Sequence, residues 1–397
     1  MASLDAPAAV IALHSMLVLV IGARGLRRRR PRAAPSLDAD PRRPPAPART
    51  VSVIVPMRNE AENVARCLAS LLHLRGARLE IVVVDDQSED DTFERAARIA
   101  GDDERVRLLR GRELPPGWVA KNWALHQGTS VARGEWLLFV DADVRLHPDA
   151  AARAVEEAEA RGLGLLSLSP RQECRGFWER AIQPLVFAML RDRYDMAAVN
   201  DPSTPVAAAN GQFMLVRRSV YDALGGHAAV KARVLEDVAL AQAVKGRGVP
   251  LYFANTETLA STRMYDGFRA LWYGWSKNLF TLLGGDHAAT WRAVAFHLGV
   301  RPLAGITWAA ALGSVAAGDA RWAWAVLSGG LTLVLLATLE RRDGVRLGAP
   351  WSQPVVSPLA HAAFALIALN SWYWHAVRGT GWWRGRSYRY HQDEVGA

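Results

Sequence analysis

Cysteine is almost absent from this chain, and carboxylates are outnumbered by cations. Two cysteines in 397 residues, Cys67 and Cys174, make neither a disulfide framework nor a cysteine zinc site, and their spacing fits no metal motif. No G-x-G-x-x-G turn follows the first apolar strand, and G-x-x-x-x-G-K-[ST] occurs nowhere. A dinucleotide site of the usual kind and a P-loop ATPase are therefore set aside. The formal charge of +9 is concentrated rather than spread, with nine Arg against two Asp between Arg24 and Arg49. No aromatic residues interleave those arginines, so no nucleic-acid partner is expected.

What is present is apolar at both ends. "APAAVIALHSMLVLVIGA" is long enough to cross a bilayer, and the arginines directly after it give the positive-inside pattern of an uncleaved anchor. Three further apolar runs, at 293–317, 321–339 and 358–377, approach spanning length. The expected layout is an anchor over 1–23, a disordered, lipid-facing Pro/Arg-rich linker over 24–50 and a soluble domain over 51–290. Membrane or interfacial helices follow over 291–380, with a basic tail over 381–397. One N-terminal and three C-terminal spans would put that tail on the far side of the membrane, whereas its arginines argue for the near side. A re-entrant or interfacial segment around 293–317 would reconcile the two.

The middle of the chain alternates strand and helix. "VSVIVP" is a short β-branched run, the mark of a buried parallel strand. In the segment after it, Val64, Leu68, Leu71 and Leu72 share one helical face. "LEIVVVDDQSEDDT" and "WLLFVDADVRL" are further strands ending in acidic residues. This pattern predicts an α/β domain with a mostly parallel sheet and helices on both faces. Ligands then bind beyond the carboxyl ends of the strands, at "PMRNE", "DDQSED" and "DAD".

Asp141 and Asp143 point the same way on an extended chain. Two such carboxylates repel one another and lose solvation unless a cation sits with them. Mg²⁺ or Mn²⁺ prefers carboxylate oxygens and bridges to substrate phosphates. A second acidic pair, Glu236 and Asp237, opens a helix. There acids suit the helix dipole, and a carboxylate near a metal site also serves as a general base.

Taken in order, "VSVIVPMRNEAENV", "VVVDDQSEDDT", "WLLFVDADVRL", "GQFMLVRRSVYDALGGH" and "VLEDVALAQAVKGRG" resemble the family 2 glycosyltransferases over roughly 51 to 280. The resemblance implies a GT-A nucleotide-diphospho-sugar transferase domain and an inverting hexosyltransferase reaction. Pro56 and Glu60 would line the base pocket, and Asp86 would contact uracil or ribose. Lys121 matches a lysine near the donor. Asp143, with Asp141, would engage the metal and diphosphate. Asp237 would be the catalytic base, supported by Glu236, while Gly211, Gln212 and Trp275 would face the acceptor.

One motif departs from the family. In "LWYGWSKN" Trp275 stands for the Trp of Q/R-x-x-R-W, but Leu271 and Gly274 replace its polar partners. Lys277 is then the cation left to face the diphosphate, and a single transfer is favoured over processive synthesis. Trp272, Tyr273 and Trp275 read equally as an aromatic belt at a membrane interface. "GWWRGRSYRY" is similar to the tail of ceramide and hydroxychlorobactene-type carotenoid glucosyltransferases, which implies that Arg384 and Arg386 grip donor phosphates. The expected reaction moves glucose from UDP-glucose to the hydroxyl of a membrane lipid, with the domain on the cytoplasmic side of the cell membrane. A polyprenyl-phosphate acceptor and a non-catalytic membrane scaffold are the alternatives.

Overall fold

The computed structural model describes residues 13, 14, 16, 18, 20, 35–40, 48–346 and 353–389. The β-branched runs become strands β1 (Ala48–Met57) and β2 (Ala77–Asp85), followed by β3 (Val106–Arg110) and β4 (Trp136–Phe139). With β6 (Leu165–Ser169), β8 (Met214–Arg217) and β9 (Leu251–Asn255) they form one sheet in the order β3-β2-β1-β4-β8-β6-β9. Only β8 runs against the others. A small second sheet joins β5 (Val144–Leu146), β10 (Ala260–Thr262) and β7 (Arg171–Gln172).

Side-chain alternation along the strands divides the core in two. Val51, Val53, Val55 and Met57 face α1 (Val64–Leu72), α2 (Thr92–Ala100) and α4 (Ala150–Ala160). Ile54, Val82, Val84 and Phe139 face α3 (Ala120–Val131) and α6 (Glu236–Gly246). Each fully buried Val, Leu or Ile contributes about 1.5–3 kcal/mol, so the sheet is a stiff base for the polar loops at its carboxyl edge.

A third cluster joins α5 (Phe177–Arg193), α7 (Gly267–Leu282) and α11 (Gln353–Trp372). Between α7 and α11 lie α8 (His287–Val300), α9 (Pro302–Ala316) and α10 (Ala323–Arg346), with Pro302 at the first turn of α9. Among the described residues two helical stretches are long and apolar enough to cross a membrane, His287–Ala316 and Ala320–Thr338. Ile306 on α9 and Leu327, Leu331 and Val334 on α10 are each more than 60% exposed.

Three expectations change here. The run at 358–377 is not a third such stretch. It is a core helix, with Phe364, Ala365, Ile367 and Ala368 buried. Its polar residues bond α7: Asn370 Nδ2 donates to Ser276 Oγ at 2.8 Å, and the Phe280 N–H donates to Ser371 Oγ at 2.8 Å. The run at 293–317 lies within α8 and α9, a helical stretch of spanning length. Within the 24–50 linker, residues 35–40 lie against β9, because the Asp38 carboxylate accepts the backbone N–H groups of Glu257 and Thr258. The tail is a hairpin, β11 (Thr380–Trp383) and β12 (Arg386–Arg389). The anchor over 1–23 falls almost wholly outside the described residues; of those described, Val18 packs with Val300 and Leu336.

Candidate active site

A cleft of about 1730 Å³ opens over the carboxyl ends of β1, β2 and β4. It brings together Pro56, Glu60, Asp86, Lys121, Asp141, Asp143, Gly211, Gln212, Glu236, Asp237, Trp275, Lys277 and Arg384. That volume exceeds the usual range for one small ligand and has room for two substrates.

At its centre one ammonium joins two carboxylates. Lys121, in the first turn of α3, reaches Asp141 Oδ1 at 2.7 Å and Glu236 Oε1 at 2.8 Å. Burial works against this charge, but Asp141, Glu236 and Asp237 hold the Lys121 pKa well above its ordinary value. The neighbouring Asn122, fully buried, donates to the carbonyls of Val230 and Arg233, both at 2.9 Å. Those bonds fix the loop that delivers Glu236 and Asp237 to the start of α6. Asn122 is invisible to motif reading, since its partners lie more than 100 residues away.

Asp237 is held by backbone on both oxygens. The N–H of Gly211 donates to Oδ2 and that of Val238 to Oδ1, each at 2.8 Å. Burial and the Glu236 charge push its pKa up to about 7, against the opposing pull of Lys121. Gly211 leaves the space in front of this pair open: a Cβ there would lie 3.0 Å from Lys121 Nζ and 3.4 Å from Asp237 Oδ2. Gln212 also lines the cleft, with its amide oxygen near Gln172 Nε2 and Asn210 Nδ2 at 3.4 and 3.3 Å.

Asp143 contrasts with Asp141. Its Oδ1 is buried and has no hydrogen-bond partner, and burial with the Asp141 and Glu60 charges pushes its pKa up to about 8. An orphaned carboxylate oxygen beside a second carboxylate fits a divalent cation. Among the described residues no group of three or more His, Cys, Asp or Glu converges to hold one, so substrate phosphates would complete its shell. This suits Mg²⁺ or Mn²⁺, which bind through one or two carboxylates plus phosphate and water.

The β11–β12 hairpin reaches back to the sheet. Arg384 lines the cleft and pairs with Glu60 Oε1 at 2.9 Å. Arg386 reaches Asp86 Oδ2 at 2.7 Å. The hairpin therefore lies at the same end of the sheet as the carboxyl ends of β1 and β2. Burial still dominates at Asp86, whose pKa rises to about 6 in spite of Arg386 and Arg58, and burial also raises that of Glu60.

Beyond this cluster the cleft is walled by α5, a helix the sequence motifs did not single out. Arg180, Gln183, Pro184, Phe187, Leu190 and Arg191 face it at helical spacing, a wall of about 16 Å. Trp275 is 3% exposed, edge-on to Tyr265 and Phe187, and its Nε1 lacks a partner. It belongs to the cleft, whereas Tyr273 stacks on Trp374 outside it. Lys277 also faces the centre, its pKa lowered to about 8 by burial and by Lys121.

The sheet order and its acidic strand ends define a GT-A-like α/β domain. Residues 52–225 match the family model described as Glycosyl transferase family 2. The chain is similar to the 4,4'-diaponeurosporenoate glycosyltransferase of Staphylococcus aureus (strain USA300), with 27% identity over 253 residues, 63% of this chain and 66% of that one. The counterpart from Staphylococcus haemolyticus (strain JCSC1435) is 27% identical over 246 residues, 61% of this chain and 64% of that one. The chain thus spans slightly less than two thirds of the length of these relatives. Among solved structures, mannosyltransferase PcManGT from Pyrobaculum calidifontis, in complex with GDP-Man and Mn²⁺, is 20% identical. That comparison covers 94% of this chain and 100% of that one at a TM-score of 0.48.

Proposed function

We propose that the protein transfers a hexose from a nucleoside diphosphate sugar, UDP-glucose in the first instance, to a carotenoid-type lipid acceptor at a membrane. The observation that carries this reading is Asp237, a half-buried carboxylate fixed by two backbone N–H groups, with a pKa of about 7, at the centre of a two-substrate cleft. A general base works best with a pKa near the working pH, and this one is already oriented.

Asp237 takes the acceptor proton as the acceptor oxygen attacks the anomeric carbon, and the nucleoside diphosphate leaves from the opposite face. Lys121 and Lys277 face the charge that grows on the leaving group. Glu236, bound to Lys121, keeps that ammonium within reach of both Asp141 and the base. Asp141 and Asp143 would hold a divalent cation, which when bound neutralises diphosphate charge. The wall built by α5 and α7, with Pro184, Phe187, Leu190 and Leu282, suits an apolar acceptor.

The exposed apolar faces of α9 and α10 support seating in the bilayer, and the arginines over 24–49 support a cytoplasmic catalytic domain. Spans at both ends and a multi-pass layout belong to this proposal. So do the segment limits 1–23, 24–50, 51–290, 291–380 and 381–397.

One observation favours a second reading of the acceptor. The relatives' named acceptor, 4,4'-diaponeurosporenoate, is a carboxylate by its name. Such an oxygen is already ionised and needs no base. Turnover of UDP-glucose by wild type and Asp237→Asn, with a hydroxyl and a carboxyl carotenoid in parallel, separates the two. Loss with the hydroxyl acceptor alone supports the base, and loss with both assigns Asp237 a part other than proton removal. Loss with neither contradicts it, and turnover of neither acceptor by wild type contradicts the reading as a whole.

A further inference from the structure

Three non-glycine residues among those described have φ in the left-handed region: Asn59 (50°), Gln87 (57°) and Arg384 (49°). They come from the ends of β1 and β2 and from the hairpin turn, and they meet at one point. Strained backbone of this kind persists only where its surroundings hold it, and it gathers at binding sites and clamps. Here the surroundings are a dense polar lock. The Arg384 carbonyl accepts from Arg58 Nε and Asn59 Nδ2, both at 3.1 Å, and the Arg384 guanidinium donates to the Asn59 carbonyl at 2.9 Å. Arg58 in turn donates to the Asp86 carbonyl at 2.7 Å.

Within this lock the two hairpin arginines do different work. Arg384 lines the cleft and pairs with Glu60. Arg386 stands behind the lining. One of its nitrogens reaches Asp86 Oδ2 at 2.7 Å and the other reaches Gln87 Oε1 at 2.6 Å. This grip leaves Asp86 Oδ1 buried and without a partner at the edge of the cleft, with Asp85 Oδ1 in the same condition. A buried acceptor with nothing to accept from is the natural partner of a ligand N–H or O–H. At the β2 end of the cleft, the available donors on a nucleoside diphosphate are base N–H and ribose hydroxyl groups.

We infer that Arg386 is a positioning residue for the nucleoside: it holds one oxygen of Asp86 so that the other receives a nucleoside donor group, which makes the C-terminal hairpin a wall of the donor site. The inference rests on the reading of the cleft as a nucleoside diphosphate site. Arg386 acts only through Asp86 and Gln87, so its removal weakens donor binding without removing any group that takes part in the transfer.

The test uses full-length protein in detergent with Mn²⁺. UDP and GDP are titrated first into the wild type, and the nucleotide that binds is then used with the variants. Arg386→Gln is expected to weaken binding about tenfold and to raise the donor KM by a similar factor, more than it lowers kcat. Arg386→Lys restores part of the affinity, since one ammonium replaces one of two directed contacts. In an Asp86→Asn background, Arg386→Gln adds less than about twofold, because both changes remove the same interaction. Wild-type affinity in Arg386→Gln overturns the inference alone. So does a tenfold loss that persists in the Asp86→Asn background, which assigns Arg386 a purely structural part. Wild type that binds neither nucleotide overturns the underlying reading of the cleft as well.

Discussion

Lys121 Nζ lies 2.7 Å from Asp141 Oδ1, so the strand-end carboxylate is answered by a cation from within the chain. The same ammonium holds Glu236, whose side chain is only 5% exposed. Removing it strands a buried charge. Lys121→Met is therefore expected to destabilise the fold by about 2 kcal/mol and to lower kcat by about 100-fold. Thermal melting and single-turnover kinetics check the two parts separately.

Asp237 sets a pH dependence with a definite sign. Burial raises its pKa from 3.8 to about 7, and only the ionised form accepts a proton. With a hydroxyl acceptor, kcat/KM should fall about tenfold per unit as pH drops below about 7. Stability moves in the opposite sense. The folded state binds this proton more tightly than the unfolded state, so Asp237 opposes folding increasingly as pH rises from 3.8, levelling off above about 7. Asp237→Asn should raise the melting temperature relative to wild type at pH 8, and the gap should shrink toward pH 4. A constant gap across that range contradicts the assignment.

The orphaned oxygen of Asp143 makes metal dependence specific. Chelator should abolish turnover, and added Mn²⁺ should restore it. In Asp143→Asn the Mn²⁺ concentration for half-maximal rate should rise at least about tenfold, because the site loses one of its two carboxylates. Unchanged Mn²⁺ dependence in that variant would place the metal elsewhere.

Gly211 tests the open space before the base. Its alanine Cβ would sit 3.0 Å from Lys121 Nζ and 3.2 Å from Glu236 Oε1. The backbone there is not left-handed, so folding is little disturbed. Gly211→Ala should cut kcat/KM by about tenfold or more while shifting the melting temperature by no more than about 2 °C. Kinetics and melting on one preparation distinguish this from general destabilisation.

The strands and their acidic ends were legible in sequence because β-branched runs and period-two alternation are local signals, as Val51–Met57 and Leu137–Val140 illustrate. The carboxylates Asp141, Asp143, Glu236 and Asp237 stood out for the same reason. What escaped was long-range. The pairing of Arg386 with Asp86 joins residues 300 positions apart, and no spacing rule reaches that far. The apolar run at 358–377 has the composition of a span. Asn370 and Ser371 become readable as core residues only once α7 supplies their partners. The wall formed by α5 was hidden because its cleft face mixes Arg180, Pro184 and Phe187 rather than repeating one residue type.

The most direct measurement of the central claim is nucleoside diphosphate release by purified full-length protein given UDP-glucose, Mn²⁺ and a carotenoid bearing a free hydroxyl, in wild type and Asp237→Asn. Wild type is expected to release it only with acceptor present, with glucose found on the lipid by mass spectrometry, and the variant to lose at least about 100-fold. Equal release from both proteins, or release with no glycosylated lipid, would contradict the claim.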